Sequence, residues 1–321
     1  MTKPQLEAPP QSAAQKAPQR RRLWSEYTPY AALQEPALLG ELARRELQLA
    51  VAVTPELVPQ LAAVLRACQA HGVAVALWPM LSDAQGRWAS ADNAAAYCRL
   101  VRELLQSLAA QALLPQALAI DLEPPRRSPQ RAADGAAALT SLASEARARG
   151  LELLAAVMPP IVLPPEAAAR GWQRLLRTPI DALPLDCIST MAYTSLFEGY
   201  SRGVLRRADA RALLYKLAVA TRARYGARAS ISLGAVGTGA LGDERTFISP
   251  AQLIEDVGIV RAAGLTDLAL FNLDGALARP PLAAWLDALV QTPPSAPPPP
   301  TLRADLLWQG LRAAGALAGL C

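Results

Sequence analysis

Eight short apolar runs, separated by longer segments of helical period, constrain the fold of this 321-residue chain more than any other feature. The runs are almost continuously apolar, which is typical of parallel strands that helices cover on both faces. Eight strand–helix units in about 270 residues match the size of a (β/α)8 barrel. The predicted strands are residues 23–27, 47–53, 72–79, 117–123, 151–157, 186–193, 229–236 and 268–274.

We therefore predict an α/β fold, a TIM barrel formed by residues 23–291. A doubly wound open sheet is the alternative, but no glycine fingerprint follows the first strand, as a dinucleotide-binding fold requires. Residues 1–22 are rich in Pro, Gln, Ala and basic side chains, which predicts a disordered N-terminal arm. Residues 292–300, TPPSAPPPP, predict a stiff linker, and residues 301–321 predict an amphipathic helix that docks on another surface or frays.

Charge and cysteine content exclude several classes of function. The formal net charge of +5 comes from the two ends of the chain, which leaves the predicted barrel neutral and gives no basic surface for nucleic acid. The four cysteines are scattered without metal-ligand spacing, as in a reducing compartment. The N-terminus lacks the apolar segment of a secretory signal, and the C-terminal helix is too short an apolar run for a transmembrane span. We expect a cytoplasmic protein.

A single histidine limits the available chemistry. His71 precedes the third predicted strand, at the end of the barrel away from the usual catalytic face. Histidine-dependent triads and zinc sites are thereby excluded, and no phosphate-binding loop is present. We expect no metal and no organic cofactor, and chemistry that relies on carboxylate, tyrosine and tryptophan side chains.

Two acids end the fourth predicted strand in the segment LAIDLEPP. Asp121 and Glu123 lie two residues apart, so in a strand their side chains point to the same face. At the carboxyl end of a barrel strand they would lie on the catalytic rim, where a neighbouring acid and burial raise a carboxyl pKa. Such an acid can protonate the leaving oxygen of a glycoside. The alternative is that the two acids form ion pairs with Arg126, Arg127 or an arginine on another strand.

The segment AIDLEPP resembles the fourth-strand signature D-x-x-D-x-D-x-E of family 18 glycoside hydrolases, the chitinases and their relatives. The resemblance implies that Glu123 is the general acid and that Asp121 orients the substrate N-acetyl group. The segment TMAYTS resembles the sixth-strand Met-x-Tyr motif, which implies that Met191 contacts substrate and Tyr193 is catalytic. The segment ALFNLDG resembles the eighth-strand motif, which implies substrate contacts by Phe271 and Asn272.

Several positions depart from this family pattern. Ala119 stands where the family has its inner Asp, and Gln116 stands where it has the outermost one. Thr194 follows the tyrosine in place of Asp, and Phe271 replaces a Trp that forms a sugar platform. Many family relatives with such losses bind sugar without cleaving it.

Other predicted substrate-binding residues follow the predicted strands. An indole face stacks on the apolar face of a sugar ring, so tryptophans at strand ends are candidates alongside acids and tyrosines. Two of the acids, Glu26 and Glu198, are reserve second carboxylates for a two-acid mechanism. The further candidates are Trp78, Asp83, Trp88, Glu26, Tyr27 and Glu198.

The sequence thus predicts a glycosidase-like barrel that acts on a carbohydrate, with N-acetylated sugars among the candidate substrates. A carbohydrate-binding barrel without catalysis is the main alternative. A third hypothesis is a scaffold whose C-terminal helix recruits a partner. The oligomeric state is left open.

Overall fold

Eight parallel strands close into a barrel in chain order, in a computed structural model that describes residues 21–125 and 134–319. The predicted (β/α)8 fold is confirmed, with each strand paired to the strands before and after it and β8 paired to β1. Residues 1–20 of the predicted arm, residues 320–321, Arg126 and Arg127 lie outside the described residues. The strands are β1 (Arg21–Ser25), β2 (Gln48–Val53), β3 (Val75–Pro79), β4 (Ala117–Leu122), β5 (Glu152–Val157), β6 (Cys187–Met191), β7 (Ala229–Gly234) and β8 (Leu268–Phe271).

Helices connect the strands and cover the outer face of the barrel. Proline in the first turn starts α1, α2 and α8, where its missing N–H costs no hydrogen bond. Among the described residues, none of the helices is long and apolar enough to cross a membrane. The helices are α1 (Pro36–Arg44), α2 (Val58–Ala70), α3 (Ala94–Ala110), α4 (Gly135–Ala148), α5 (Glu166–Leu176), α6 (Thr194–Tyr200), α7 (Arg207–Tyr225), α8 (Pro250–Ala262), α9 (Leu273–Ala278), α10 (Leu282–Gln291) and α11 (Leu302–Ala318).

The barrel begins two residues earlier than predicted, because Arg22 belongs to β1 and not to the basic arm. Its side chain is only 1% exposed and closes the amino-terminal end of the barrel. The guanidinium donates to Asp267 Oδ1 at 2.6 Å and to Gln48 Oε1 at 2.8 Å. Arg22, which the sequence analysis assigned to the basic arm, therefore forms a buried connection between β1, β2 and the start of β8.

Small side chains fill most of the barrel interior. The inward positions of β4 are Ala117, Ala119 and Asp121, and alanines of other strands occupy the same cluster. Two indoles, Trp24 and Trp78, fill the space that these small residues leave, with ring centroids 4.8 Å apart in an edge-on arrangement. The larger aliphatic side chains point outward from the strands and pack under the helices.

The C-terminal helix α11 packs on the barrel's own helices. Trp172 Nε1 of α5 donates to the carbonyl of Leu311 at 2.9 Å. The two helices approach so closely that a Cβ on Gly171 would lie 1.8 Å from the carbonyl oxygen of Gly315. The proline-rich segment before α11 runs along α8, where Ser295 N–H donates to the carbonyl of Gly258 at 3.0 Å.

We predict that Arg22→Ala lowers the free energy of unfolding by about 3 kcal/mol, because it leaves Asp267 without its buried partner. Urea unfolding measures the change. The matched variant Arg44→Ala removes an exposed pair with Glu41 and is expected to cost less than about 1 kcal/mol. Equal effects of the two substitutions would contradict the role assigned to Arg22.

Candidate active site

A cavity of about 410 Å³ opens at the carboxyl ends of the strands. Its walls come from residues at or just after the ends of β1, β3, β4, β5, β6 and β8, and from the segment after β7. Side chains from so many strands meet here because parallel strands in a closed barrel all end on the same face. The cavity is lined by Trp24, Glu26, Trp78, Trp88, Asp121, Glu123, Ala156, Met158, Pro159, Met191, Tyr193, Leu196, Phe197, Tyr200, Ser201, Leu205, Gly239, Ala240, Leu241, Glu244 and Phe271.

Asp121 and Glu123 both face this cavity. The alternation along β4 places Asp121 above Ala119 inside the barrel, and Glu123 follows just beyond the strand end. Asp121 is 3% exposed, whereas Glu123 is half-buried. In residues 21–125 and 134–319, neither carboxyl group forms an ion pair with an arginine. The alternative involving Arg126 or Arg127 concerns residues outside that range.

The surroundings hold protons on this carboxyl pair. Burial raises the pKa of Asp121 well above its ordinary value, and repulsion from Glu123 and Glu26 raises it further. Burial also raises the pKa of Glu123 to about 7; Glu26 adds to this rise, while a hydrogen bond from Asp121 and the charge of Arg87 oppose it. Two like charges resist sharing a desolvated space, so the pair retains a proton in neutral solution.

Aromatic rings form the floor of the cavity. Tyr193 stacks on Phe271 with ring centroids 5.3 Å apart, and Phe271 contacts Trp78 edge-on at 6.5 Å. Met191 lies beside them, and Trp88 forms part of the wall. Burial raises the pKa of Tyr193 well above its ordinary value, and the charges of Asp121 and Glu123 reinforce this shift. Tyr193 is therefore a phenol that can donate a hydrogen bond at any physiological pH.

Glu26 lines the cavity but is paired with an arginine. Arg87 Nη2 donates to Glu26 Oε1 at 2.6 Å and to the Tyr27 hydroxyl at 2.9 Å, and its Nη1 donates to Asp83 Oδ1 at 3.0 Å. The arginine thus joins the end of β1 to the segment after β3. Tyr27 and Asp83, which we predicted as substrate contacts, hold Arg87 at the edge of the site and are not among the lining residues.

Two further predicted contacts lie away from the cavity. The carboxylate of Glu198 lies 3.6 Å from Arg207 and 3.6 Å from Arg245, because the short helix α6 turns this side chain outward. Asn272 is fully buried and caps helix α9, with its Oδ1 accepting from Gly275 N at 3.0 Å. The strand ends at Phe271, so Asn272 serves the backbone of the next helix and is not available to a substrate.

Trp24, Arg87 and Glu244 are among the residues of the site that the sequence analysis missed. Trp24 lies on β1 two residues before the predicted contact Glu26, so strand alternation could have identified this indole as a residue of the same face. Arg87 carries no local signal, because its partner Glu26 is 61 residues away. Glu244 lies in a glycine-rich segment after β7, where no periodic pattern indicates which side chains face inward.

The site combines a proton donor, a neighbouring carboxylate and an aromatic floor. A carboxyl with a pKa near neutrality can protonate a poor leaving group, and aromatic rings bind the apolar faces of sugars. Within the described ranges, no group of three or more His, Cys, Asp or Glu side chains could hold a metal ion. The arrangement suits acid catalysis on a polar, ring-shaped substrate.

Solved structures with this barrel fold share little sequence with the chain. The PgaB (BpsB) glycoside hydrolase domain from Bordetella bronchiseptica has a TM-score of 0.52 and 13% identity, over 85% of this chain and 99% of that one. A Group II chitinase catalytic domain from Ostrinia furnacalis has a TM-score of 0.52 and 15% identity, over 88% of this chain and 99% of that one. A GH18 chitinase from Cycas revoluta, in complex with (GlcNAc)3, has a TM-score of 0.52 and 12% identity, over 85% of this chain and 99% of that one.

At these identities the likeness shows a fold shared with glycoside hydrolases. No protein-family model matches the chain. No curated protein matches it either.

We predict that Glu123→Gln stabilises the protein at pH 8 by about 2 kcal/mol more than at pH 5. Folding raises the pKa of the Glu123 carboxyl, so ionising it destabilises the folded state as the pH rises from the pKa of the unfolded chain toward 7. The amide of Glu123→Gln does not ionise and removes that cost. Urea unfolding at the two pH values tests this. Glu145→Gln is the control, because Arg102 lowers the pKa of that carboxyl to about 2 and its contribution is constant between pH 5 and 8. An equal effect of Glu123→Gln at both pH values would be inconsistent with a raised pKa.

Proposed function

We propose that this chain is a glycoside hydrolase in which Glu123 is the general acid and Asp121 is its partner. The observation that carries the proposal is the pair of proton-holding carboxyl groups inside an aromatic-lined cavity at the carboxyl ends of the strands. A glycosidic oxygen leaves slowly unless it is protonated, and only an acid with a raised pKa stays protonated near neutral pH.

The resemblance to family 18 supports a substrate with an N-acetyl group on the reacting sugar. Glu123 transfers its proton to the glycosidic oxygen as the bond from that oxygen to the anomeric carbon breaks. The acetamido carbonyl oxygen of the same sugar then forms a bond to the anomeric carbon. A water molecule subsequently attacks this carbon, its proton passes to the Glu123 carboxylate, and the acetamido group is released unchanged.

Asp121 and Tyr193 fit the supporting roles in this sequence of steps. When Glu123 holds the shared proton, Asp121 is ionised and can accept the acetamido N–H, which orients the group and stabilises the positive charge that develops on it. The Tyr193 hydroxyl stays protonated and can donate to the acetamido carbonyl. The stack of Tyr193 on Phe271 holds this ring in place.

The second candidate is a barrel that binds a carbohydrate without cleaving it. Two observations favour it: Ala119 supplies no inner carboxyl group beneath Asp121, and Phe271 offers a smaller platform than a Trp. Under this hypothesis a saccharide raises the melting temperature without release of reducing ends. An enzyme would release them.

We predict that a screen of aryl glycosides and oligosaccharides, including N-acetylated ones, identifies a substrate whose hydrolysis depends on Glu123. Glu123→Gln keeps the shape of the side chain but cannot donate the proton, so its kcat is expected to fall about 100-fold or more. Glu145→Gln, on the outer face of α4, serves as the matched control and should retain wild-type turnover. Activity of Glu123→Gln within a few-fold of wild type would refute the assignment of the acid.

The same assignment fixes the direction of the pH dependence. The acid must be protonated in the free enzyme, so kcat/KM is expected to decline by about tenfold per pH unit above a pKa of about 7. Initial rates between pH 5 and 9 measure the profile. A kcat/KM that is constant or rising between pH 7 and 9 would argue against a proton donor at this position.

A further inference from the structure

Glu244 is a carboxylate of the cavity that the proposed acid catalysis does not use. It lies in the segment between β7 and α8 and lines the cavity with Gly239 and Leu241. A Cβ placed on Gly239 would lie 3.0 Å from Phe271 Cζ and 3.1 Å from Glu244 Oε1. The carboxylate of Glu244 therefore lies next to the aromatic floor, with only Gly239 between its Oε1 and the Phe271 ring.

Contacts within its own segment hold this carboxylate in position. Glu244 Oε1 accepts the N–H of Leu241 at 3.0 Å, so one oxygen is bound to the backbone. The neighbouring Asp243 accepts from the Tyr200 hydroxyl at 3.1 Å, which fastens the segment to helix α6. Phe247 N–H donates to the carbonyl of Ala235 at 2.7 Å and closes the segment behind.

The second oxygen of Glu244 lacks a protein partner. Glu244 Oε2 is buried and accepts no hydrogen bond from any residue in 21–125 or 134–319. The side chains of Asp121 and Trp78, which also line the cavity, are close enough to interact with each other, and Asp121 interacts with Glu123 as well. A buried oxygen without a partner is costly, so Glu244 Oε2 indicates a polar ligand beside it.

The charge of the lining favours one kind of ligand. Four carboxyl groups line the cavity, and among the described lining residues there is no lysine or arginine. Arg87 reaches the site only through its pair with Glu26. A half-buried carboxylate with one oxygen free of protein partners is a favourable site for an ammonium group, which gains a charge-assisted hydrogen bond. An anionic sugar would be repelled.

We propose that Glu244 binds a protonated amino group of the substrate, so that the site selects glycans containing a hexosamine with a free 2-amino group. This ammonium-bearing unit is a neighbour of the N-acetylated sugar that reacts, because Glu244 lies in the segment after β7 and the acid pair lies at the end of β4, three strands away around the barrel. The inference rests on the proposed function for the class of ligand and for the position of the reacting sugar. It adds that the saccharide carries a positive charge and that Glu244 binds the charged group.

Calorimetric binding to the Glu123→Gln variant tests the proposal without hydrolysis. The two probes, at pH 6 and low salt, are an N-acetylglucosamine tetramer and a tetramer that keeps one N-acetylated sugar and carries free 2-amino groups on the other three, which we call the glucosamine tetramer. The glucosamine tetramer is expected to bind about tenfold more tightly. Adding Glu244→Gln should remove this preference and change the affinity for the acetylated tetramer by no more than about twofold. Glu255→Gln, an exposed acid on α8, is the matched control and should leave both affinities unchanged.

A salt titration of the Glu123→Gln variant supplies a test that needs no substitution at Glu244. Raising the NaCl concentration should weaken binding of the glucosamine tetramer and leave the acetylated tetramer unaffected. Equal affinities for the two tetramers, an equal loss of both in Glu244→Gln, or no binding of either would overturn the proposal. The hydrolysis screen judges the proposed function separately, because an absence of turnover would leave a measured preference for the amine intact.

Discussion

Closure of eight strands into a ring directs every second side chain of each strand into a space that water reaches only from the two ends. The inward positions of β1 show the consequence along one strand. Arg22 closes the amino-terminal end with ion pairs, Trp24 fills the middle, and Glu26 reaches the cavity at the carboxyl end. The inward positions of β4 follow the same course, from Ala117 to Asp121. The proton-holding carboxyl pair exists because this alternation delivers it to a desolvated rim.

The acids at the carboxyl ends of the strands differ in whether an ion pair offsets the free-energy cost of their burial. Burial raises the pKa of all three acids, but Glu26 is ion-paired with Arg87, whereas Asp121 and Glu123 have no such partner among the described residues. An ion pair favours the charged form of a carboxylate, whereas an unpaired carboxyl group that keeps its proton can act as an acid. The two kinds of acid in one cavity therefore divide into a structural connection and a candidate for catalysis. Ala119 beneath Asp121 removes one further charge from the interior, which leaves Glu123 and Glu26 as the main sources of repulsion on Asp121.

Much of the fold and the centre of the site could be predicted from the sequence, because both depend on local periodicity. Apolar runs of strand length predicted the barrel, and the two-residue spacing placed Asp121 and Glu123 together. Boundaries set by distant partners could not be predicted. From the sequence we predicted Arg22 as part of a basic arm. It belongs to β1, and its side chain pairs with Asp267, 245 residues away.

The errors at the rim have similar causes. Glu198 follows β6 closely in sequence, but the rotation of the seven-residue helix α6 takes its carboxylate toward Arg207 and Arg245. Asn272 became a helix cap because β8 ends one residue before it. Neither the direction of a short helix nor the last residue of a strand is determined by residue type alone.

The central claim is that burial and repulsion keep Glu123 protonated near neutral pH, and carbon-13 NMR of the side-chain carboxyl tests it most directly. Glutamate labelled at Cδ, with the signal of Glu123 assigned from its loss in Glu123→Gln, can be titrated between pH 3 and pH 9. The account predicts a midpoint of about 7 for this signal. A midpoint near 4.5, the ordinary value for a glutamate, would contradict it.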